Sequence, residues 1–276
     1  MGLSCFRIVN IFPQGGLLHQ PMINITNLTY SFAAAPKAPV FSGISMKVRR
    51  GEFISVVGAS GCGKSTLFKI IAGLLEPGSG EVALHGLPSY SASQRLGHVG
   101  YMPQQDLLLP WRTVLDNCLL PWELKRGCSK EEAVIQIRTM LQQFGLGETG
   151  AAYPHELSGG MRQRVALLRT IASGNELLLL DEPFGALDAI TKRDLHRWLL
   201  ELWSGLDKTV LFITHDLEEA LLLSDRIYLM TGGAGGGMQE FITGLPRPRH
   251  HSLNYEPQFT ALRKDLELKL YDNRLL

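Results

Sequence analysis

Residues 23–28 and 45–49 alternate apolar and polar side chains, the period of a strand with one exposed face. Residues 53–57 do not alternate. Their continuous apolar run predicts a strand buried on both faces. A glycine-rich turn follows, and residues 64–74 then read as a helix. Another strand is expected at 99–102. From about 107 to 160 the buried-strand runs stop, and the pattern predicts helices separated by Pro121, Gly127 and Gly145. Beyond that point strand and helix take turns: strand 177–180, helix 191–203, strand 209–213, helix 217–223, strand 226–230. Such alternation predicts an α/β fold with a largely parallel sheet covered on both sides. The helical stretch reads as an insertion into that core. Residues 232–237 are all glycine apart from Ala234 and read as a flexible turn between two edge strands.

Composition narrows the function classes. The chain has 276 residues, a formal net charge of +1 and 45% hydrophobic residues, the balance of a folded chain. The near-zero charge argues against nucleic acid or an anionic membrane as partner. No apolar stretch approaches the ~18–20 residues that span a bilayer. Residues 1–20 lack the long apolar core and small-residue cleavage site of a secretory signal. Residues 1–21 are therefore expected to be a poorly structured extension, with Met22 an alternative start. A domain is expected over 22–245, and a short tail over 246–276. In that tail Leu262, Leu266 and Leu270 recur at helical spacing, which predicts an amphipathic helix packed on the core or a partner. Cys5, Cys62, Cys118 and Cys128 form no CxxC pair, and His250 and His251 lack a nearby third ligand, so a loop is the reading there.

Glycine is over-represented, at 29 residues. Some of the excess sits in Gly58, Ala59, Ser60, Gly61, Cys62, Gly63, Lys64 and Ser65, which fit G-x-x-x-x-G-K-[ST] between a buried strand and a helix. Glycines let backbone N–H groups approach phosphate oxygens, and the helix adds its positive end. Lys64 supplies a point charge for the outer phosphates, the Ser65 hydroxyl is a candidate Mg²⁺ ligand, and Thr66 can donate to a phosphate. Cys62 lines the loop as a small residue without a catalytic role. Downstream, four leucines lead into Asp181 and Glu182. An apolar strand ending in acids is the expected Mg²⁺-side strand, with Asp181 holding the ion and Glu182 polarising the attacking water. These residues alone point to a nucleotide hydrolase.

Leu157-Ser-Gly-Gly-Met-Arg-Gln-Arg164 resembles the signature sequence of ABC-type ATPases, and lies where that family has it. Other elements follow the same order. Gln104 resembles the Q-loop glutamine, with Gln105 the alternative. Ala186-Leu-Asp188 looks like the D-loop, and Thr214-His215-Asp216 like the segment of the switch histidine. Phe32 resembles the adenine-stacking aromatic, with Tyr30 the alternative. The resemblance covers about residues 22–245. It implies a P-loop core with a parallel central sheet, an antiparallel β subdomain and a helical subdomain at about 95–160. It implies two such chains meeting head to tail, so that Ser158, Gly159 and Gly160 of one cover ATP held by the other. Glu182 would activate water, His215 would contact the γ-phosphate, and Gln104 would help hold Mg²⁺ and join the site to the helical block. Asp188 would cross the interface. The implied partners are a second copy, transmembrane permease subunits and a solute-binding protein, with the chain at the cytoplasmic face of the membrane. The apolar stretch 107–111 is consistent with a permease contact. The segment 104–111 and Leu245-Pro-Arg-Pro-Arg249 are similar to the nitrate, sulfonate and taurine importer group. The run 232–237 and residues 1–21 depart from that pattern.

Overall fold

A computed structural model describes residues 21–272, apart from 34, 36–37, 87–90, 126, 186, 207 and 232–235. Residues 1–20 of the expected extension, most of the glycine run and Ala186 lie outside the described residues. Six strands form the central sheet in the order β5 (Val99–Met102), β6 (Leu177–Asp181), β7 (Thr209–Ile213), β3 (Phe53–Gly58), β8 (Arg226–Met230) and β9 (Met238–Ile242). The first five are parallel, and β9 closes the edge antiparallel to β8. Every residue of β3, β6, β7 and β8 is buried, which is why their sequences do not alternate. The glycine run spans the β8–β9 hairpin, whose base is closed by Thr231 N–H donating to Gly237 O at 3.0 Å.

A second sheet is antiparallel, in the order β2 (Phe41–Val48), β1 (Ile23–Tyr30) and β4 (Ser79–Leu84). Its strands bury alternate residues against helix α1 (Lys64–Ile71), so one apolar cluster joins both sheets. The sequence pattern does not announce β4, whose first three residues are exposed. A short helix α2 (Ala92–Arg95) precedes β5. Strand β5 lies inside the span 95–160 yet belongs to the central sheet, so the helical block begins after Met102.

That block contains α3 (Val114–Lys125) and α4 (Lys130–Gln143), packed on α5 (Gly159–Ala172), which also leans on the sheet. Pro121 was expected to separate helices, but it sits inside α3. The missing N–H costs one helical bond. Burial of Val114, Cys118 and Leu119 against α5 holds the helix through it. Beyond the block come α6 (Ala189–Leu206), α7 (Leu217–Leu223) and the tail helix α8 (Pro257–Asp272). The tail does pack on the core: Phe259 and Leu266 are buried against Leu221 and Leu222 of α7.

One buried polar residue organises the start of the block. Asn117 is fully buried, and its side chain ties down the segment before α3. Its carbonyl oxygen accepts from Leu109 N–H at 2.8 Å, and its amide donates to the carbonyls of Leu109, Arg112 and Thr113 at 3.0–3.1 Å. Asn117→Ala leaves these groups unpaired, so we expect a loss of about 1–3 kcal/mol in denaturant unfolding. Faster hydrogen exchange at the Leu109 amide should accompany it.

Candidate functional site

The parallel register brings four motifs to one edge. In the order β5, β6, β7, β3, Met102 pairs with Leu180, Asp181 with Ile213, and Ile213 with Val56. All these strands therefore end together, and the residues that follow them converge: Gln104, Asp181 and Glu182, His215, and the loop 58–65. Ligands in open α/β sheets gather at this carboxyl edge.

The loop between β3 and α1 is shaped to expose its N–H groups. Gly61 and Gly63 have φ of 82° and 102°, the left-handed region that glycine enters without strain. A Cβ at Gly58 would fall 2.3 Å from the Met230 carbonyl oxygen, so only glycine lets β3 leave the sheet there. Lys64 is buried and donates to the carbonyls of Gly58 at 2.9 Å and Ala59 at 3.0 Å. Its ammonium thus lies beneath the loop and contributes charge to it. Cys62 is a buried free thiol, and burial pushes its pKa up, which keeps it protonated and unreactive.

Asp181 ends β6 and is buried. Burial raises its carboxyl above the ordinary carboxylate range, a hydrogen bond from Ser65 opposes this, and neighbouring Glu182 adds to the rise. A hydroxyl and a carboxylate oxygen therefore meet at one point, a donor set that fits a hard divalent cation such as Mg²⁺. Among the described residues no group of three His, Cys, Asp or Glu side chains could hold a metal. His250 is exposed, as a loop reading implies, but His251 stacks on His196 with ring centroids 5.3 Å apart.

Glu182 has φ of 49°, rare for a residue with a side chain. Such strain persists only when neighbours impose it. Here Glu182 N–H donates to Ile213 O at 3.0 Å, and Glu182 O accepts from Gly185 N–H at 3.2 Å and Gln163 Nε2 at 3.4 Å. The kink aims the carboxylate out of the sheet edge. Its Oε2 then accepts from Gln104 Nε2 at 3.2 Å and lies 3.5 Å from His215 Nδ1. Three residues nominated from separate motifs thus meet on one oxygen.

Helix α5 links this centre to the helical block. Ser158 is its N-cap, accepting from Met161 N–H at 3.2 Å, and Gly159 and Gly160 form its first turn. Further along, Arg162 pairs with Asp106 at 3.1 Å, and Arg169 donates to the carbonyls of Asp106 at 2.7 Å and Leu107 at 2.9 Å. The segment after Gln104 is therefore strapped to the signature helix. Leu108 points into the core, whereas Leu107 and Trp111 are 58% and 71% exposed. Phe32 is half exposed and packs edge-on to Tyr30 at 5.2 Å. Gln105, the alternative to Gln104, is exposed, and Thr66 is partly buried in the first turn of α1. Asp188 caps α6, accepting from Ile190 and Thr191 N–H at 3.1 and 3.0 Å, and hydrogen bonds from the Thr191 side chain first, then from these N–H groups, hold its carboxyl below the ordinary range.

Behind His215 lies a network that no motif announces. Asp216 caps α7, accepting from Glu218 N–H at 2.9 Å and Glu219 N–H at 3.3 Å. Lys192 of α6 reaches both Asp216 at 3.1 Å and buried Glu219 at 2.5 Å. Thr214 donates to Glu219 at 2.5 Å, and His196 lies 3.3 Å from it. Burial alone would raise the Glu219 carboxyl, but hydrogen bonds from His196, Lys192 and Thr214 outweigh it and leave the pKa lowered. A lowered folded pKa stabilises the fold above the ordinary carboxylate range, and that share is lost as pH falls through the folded value. Glu219→Gln should therefore cost about 1–3 kcal/mol at pH 7. In denaturant unfolding the deficit should shrink as pH falls below about 4.5, where the unfolded carboxyl takes up its proton, and vanish below the lowered folded value.

The comparisons agree with this geometry. The sequence profile of the family described as ABC transporter matches residues 41–185. The formylaminopyrimidine import ATP-binding protein ThiZ of Halalkalibacterium halodurans is 42% identical, over 89% of this chain and 95% of its own. The bicarbonate transport ATP-binding protein CmpD of Synechococcus elongatus is 40% identical, over 89% of this chain and 88% of its own. Among solved structures, the dimeric ABC transporter cassette MJ0796 superposes with a TM-score of 0.74 at 30% identity, covering 82% of this chain and all of that one. Its dimeric post-hydrolysis state bound to ADP and Pi gives 0.71 at 29% identity, with the same coverage. With a phosphate loop, a strand-end carboxylate pair and a signature helix on one P-loop core, the chain belongs to the ABC transporter family as an ATP-binding subunit that hydrolyses ATP.

Proposed function

We propose that this ATPase energises uptake of a small solute through separate permease subunits, and that the converged residues carry the reaction. The observation that supports this most directly is the single Glu182 oxygen shared by Gln104 and His215 at 3.2 and 3.5 Å. A carboxylate held this way is aimed outward, partly exposed, and released as a proton acceptor once its two donors turn to phosphate oxygens. Glu182 is then the general base for the attacking water, and His215 the contact to the γ-phosphate. Loop residues 58–66, with Lys64 central, hold the β- and γ-phosphates. Ser65 and Asp181 would hold Mg²⁺, with Gln104 beside them, and the ion when bound neutralises charge on the phosphate oxygens. Phe32 offers an exposed ring for the adenine to stack on.

The remaining site residues act across a dimer. Ser158, Gly159 and Gly160 begin a helix, so their N–H groups suit phosphates held by a second copy of the chain. Asp188 lies at the same face. ATP binding then favours the closed dimer by the affinity it gains there, and hydrolysis removes that gain. Relatives named for formylaminopyrimidine and bicarbonate support import of a small solute, delivered by a solute-binding protein. We place the chain at the cytoplasmic face of the membrane, beside its permease subunits; no helix among the described residues is long and apolar enough to cross a membrane.

A groove of about 770 Å³ runs from Ser65 and Asp181 past Gln104 to Leu107, Leu120 and Leu124. Leu107 and Leu124 are 58% and 79% exposed on its rim. We assign its outer end, at Leu107, Leu120 and Leu124, to a short cytoplasmic helix of the permease, whose apolar side would cover them.

Two experiments test these assignments. Glu182→Gln should bind ATP normally, accumulate an ATP-bound dimer on size exclusion, and lose turnover by about 10²–10⁴-fold. Unchanged turnover would remove Glu182 as the base. In the assembled transporter, Leu124→Asp should weaken co-purification with the permease while the isolated chain keeps its ATPase rate. Full assembly of that variant would place the permease elsewhere.

A further inference from the structure

The tail after β9 grips one element of the core, the seven-residue helix α7 that begins directly after His215 and its neighbour Asp216. Arg249 carries the grip at the far end. It is 4% exposed, and its Nη1 donates to the carbonyls of Ser224 at 2.7 Å, Leu221 at 3.2 Å and Leu222 at 3.4 Å. Its Nη2 donates to Leu245 O at 2.8 Å. The carbonyls of Leu221, Leu222 and Ser224 are those that the C-terminus of α7 leaves without helical partners. Burial and nearby Arg247 lower its pKa to about 10, so the guanidinium is charged at neutral pH and opposes the negative end of the helix. Arg247 adds a bond to Leu223 O at 2.9 Å and lies over the Trp203 ring of α6 at 3.9 Å. At the near end, Arg263 and Asn254 of the tail both hold Glu218, in the first turn of α7.

We propose that Arg249 is a positioning residue for ATP hydrolysis, which fixes α7 along its axis and so sets where His215 stands relative to Glu182. The proposal rests on the reading of His215 as the γ-phosphate contact. The lever is short: the helical residues from Leu217 to Leu221 rise about 6 Å, and Asp216, tied to Glu218 and Glu219 N–H, joins them to His215, so a slip at Leu221 is passed on to it. His215 needs such support. Its side chain is 66% exposed, and its contact to Glu182 is 3.5 Å. A slip of 1 Å there separates the pair. The arginine fork matters, because a lysine supplies one point charge and cannot reach the same set of carbonyls.

The test is single-turnover and steady-state ATP hydrolysis by the full-length chain. Arg249→Lys should lower kcat about 10-fold with KM for ATP within about twofold, the pattern of a lost transition-state arrangement. Arg263→Ala removes the exposed grip on Glu218 without touching the core. It should lower kcat about threefold, and Arg263→Lys should restore it. In a His215→Ala background neither variant should lower the residual rate further, because the tail acts through that side chain. Additive losses, or losses confined to KM, would overturn the proposal and leave His215 in place. A His215→Ala protein with unchanged turnover would overturn the reading of His215, and the proposal with it. Should Arg249→Lys not fold, Arg263→Ala and its non-additivity with His215→Ala decide the matter.

Discussion

Four neighbouring strands run in one direction and end in register, and the chemistry of the chain depends on that constraint. Parallel pairing of β5, β6, β7 and β3 fixes which residues stand side by side at the carboxyl edge. A one-residue slip of any strand would turn its side chains to the opposite face. Burial on both faces prevents the slip, since no residue of β3, β6 or β7 reaches solvent. The strained backbone at Glu182 is a consequence. It is held between the end of β7 and the amide of Gln163, two elements that the sheet and α5 fix independently. The strain is local, and the packing that sustains it is spread over the sheet.

A second regularity concerns helix ends. Helices α1, α5 and α7 each start at a nominated motif, and cationic side chains meet the carbonyls at their far ends. Arg95 donates to Ile70 O at the end of α1 at 3.0 Å. Lys125 donates to Ser173 O, and Lys208 to Gly174 O, both at 2.9 Å beyond α5. Arg249 does the same for α7. The C-terminal carbonyls are thereby satisfied, while at the other end α1 and α5 begin on glycines at the site and α7 is capped by the Asp216 carboxylate. Each cation contributes about 0.3–1 kcal/mol to its helix. It also stops the helix from sliding along its axis, which for a site built from helix starts matters more than the energy.

Much of this was legible from local pattern. Buried strands advertised themselves through continuous apolar runs. The loop 58–65 and the carboxylates 181–182 carry their chemistry within a few residues, so local pattern nominated them, whereas the segment 157–164 stood out by its resemblance to the signature sequence of ABC-type ATPases. What stayed hidden depends on contacts far apart in sequence. Asn117 looks like any polar residue of a helix, and only its burial beside Leu109 reveals its work. Pro121 signals a break that packing on α5 overrides. Strand β4 is half exposed and short of apolar residues, so it becomes visible only by pairing with β1.

Glu219 and Arg249 show the same limit where it bears on function. Each is charged and buried, a combination that composition gives no means to predict. Glu219 is tolerated inside because Lys192, Thr214 and His196 come to it from two other segments. Arg249 is tolerated because α7 and the chain after β9 present carbonyls on several sides. Neither charge touches the nominated site. Yet Glu219 stands in the first turn of α7, and Arg249 lies against its last. The exposed His215 therefore stands before a helix clamped at both ends, while its own side chain remains able to turn. Such an arrangement suits a residue that must exchange one partner for another without carrying its backbone along.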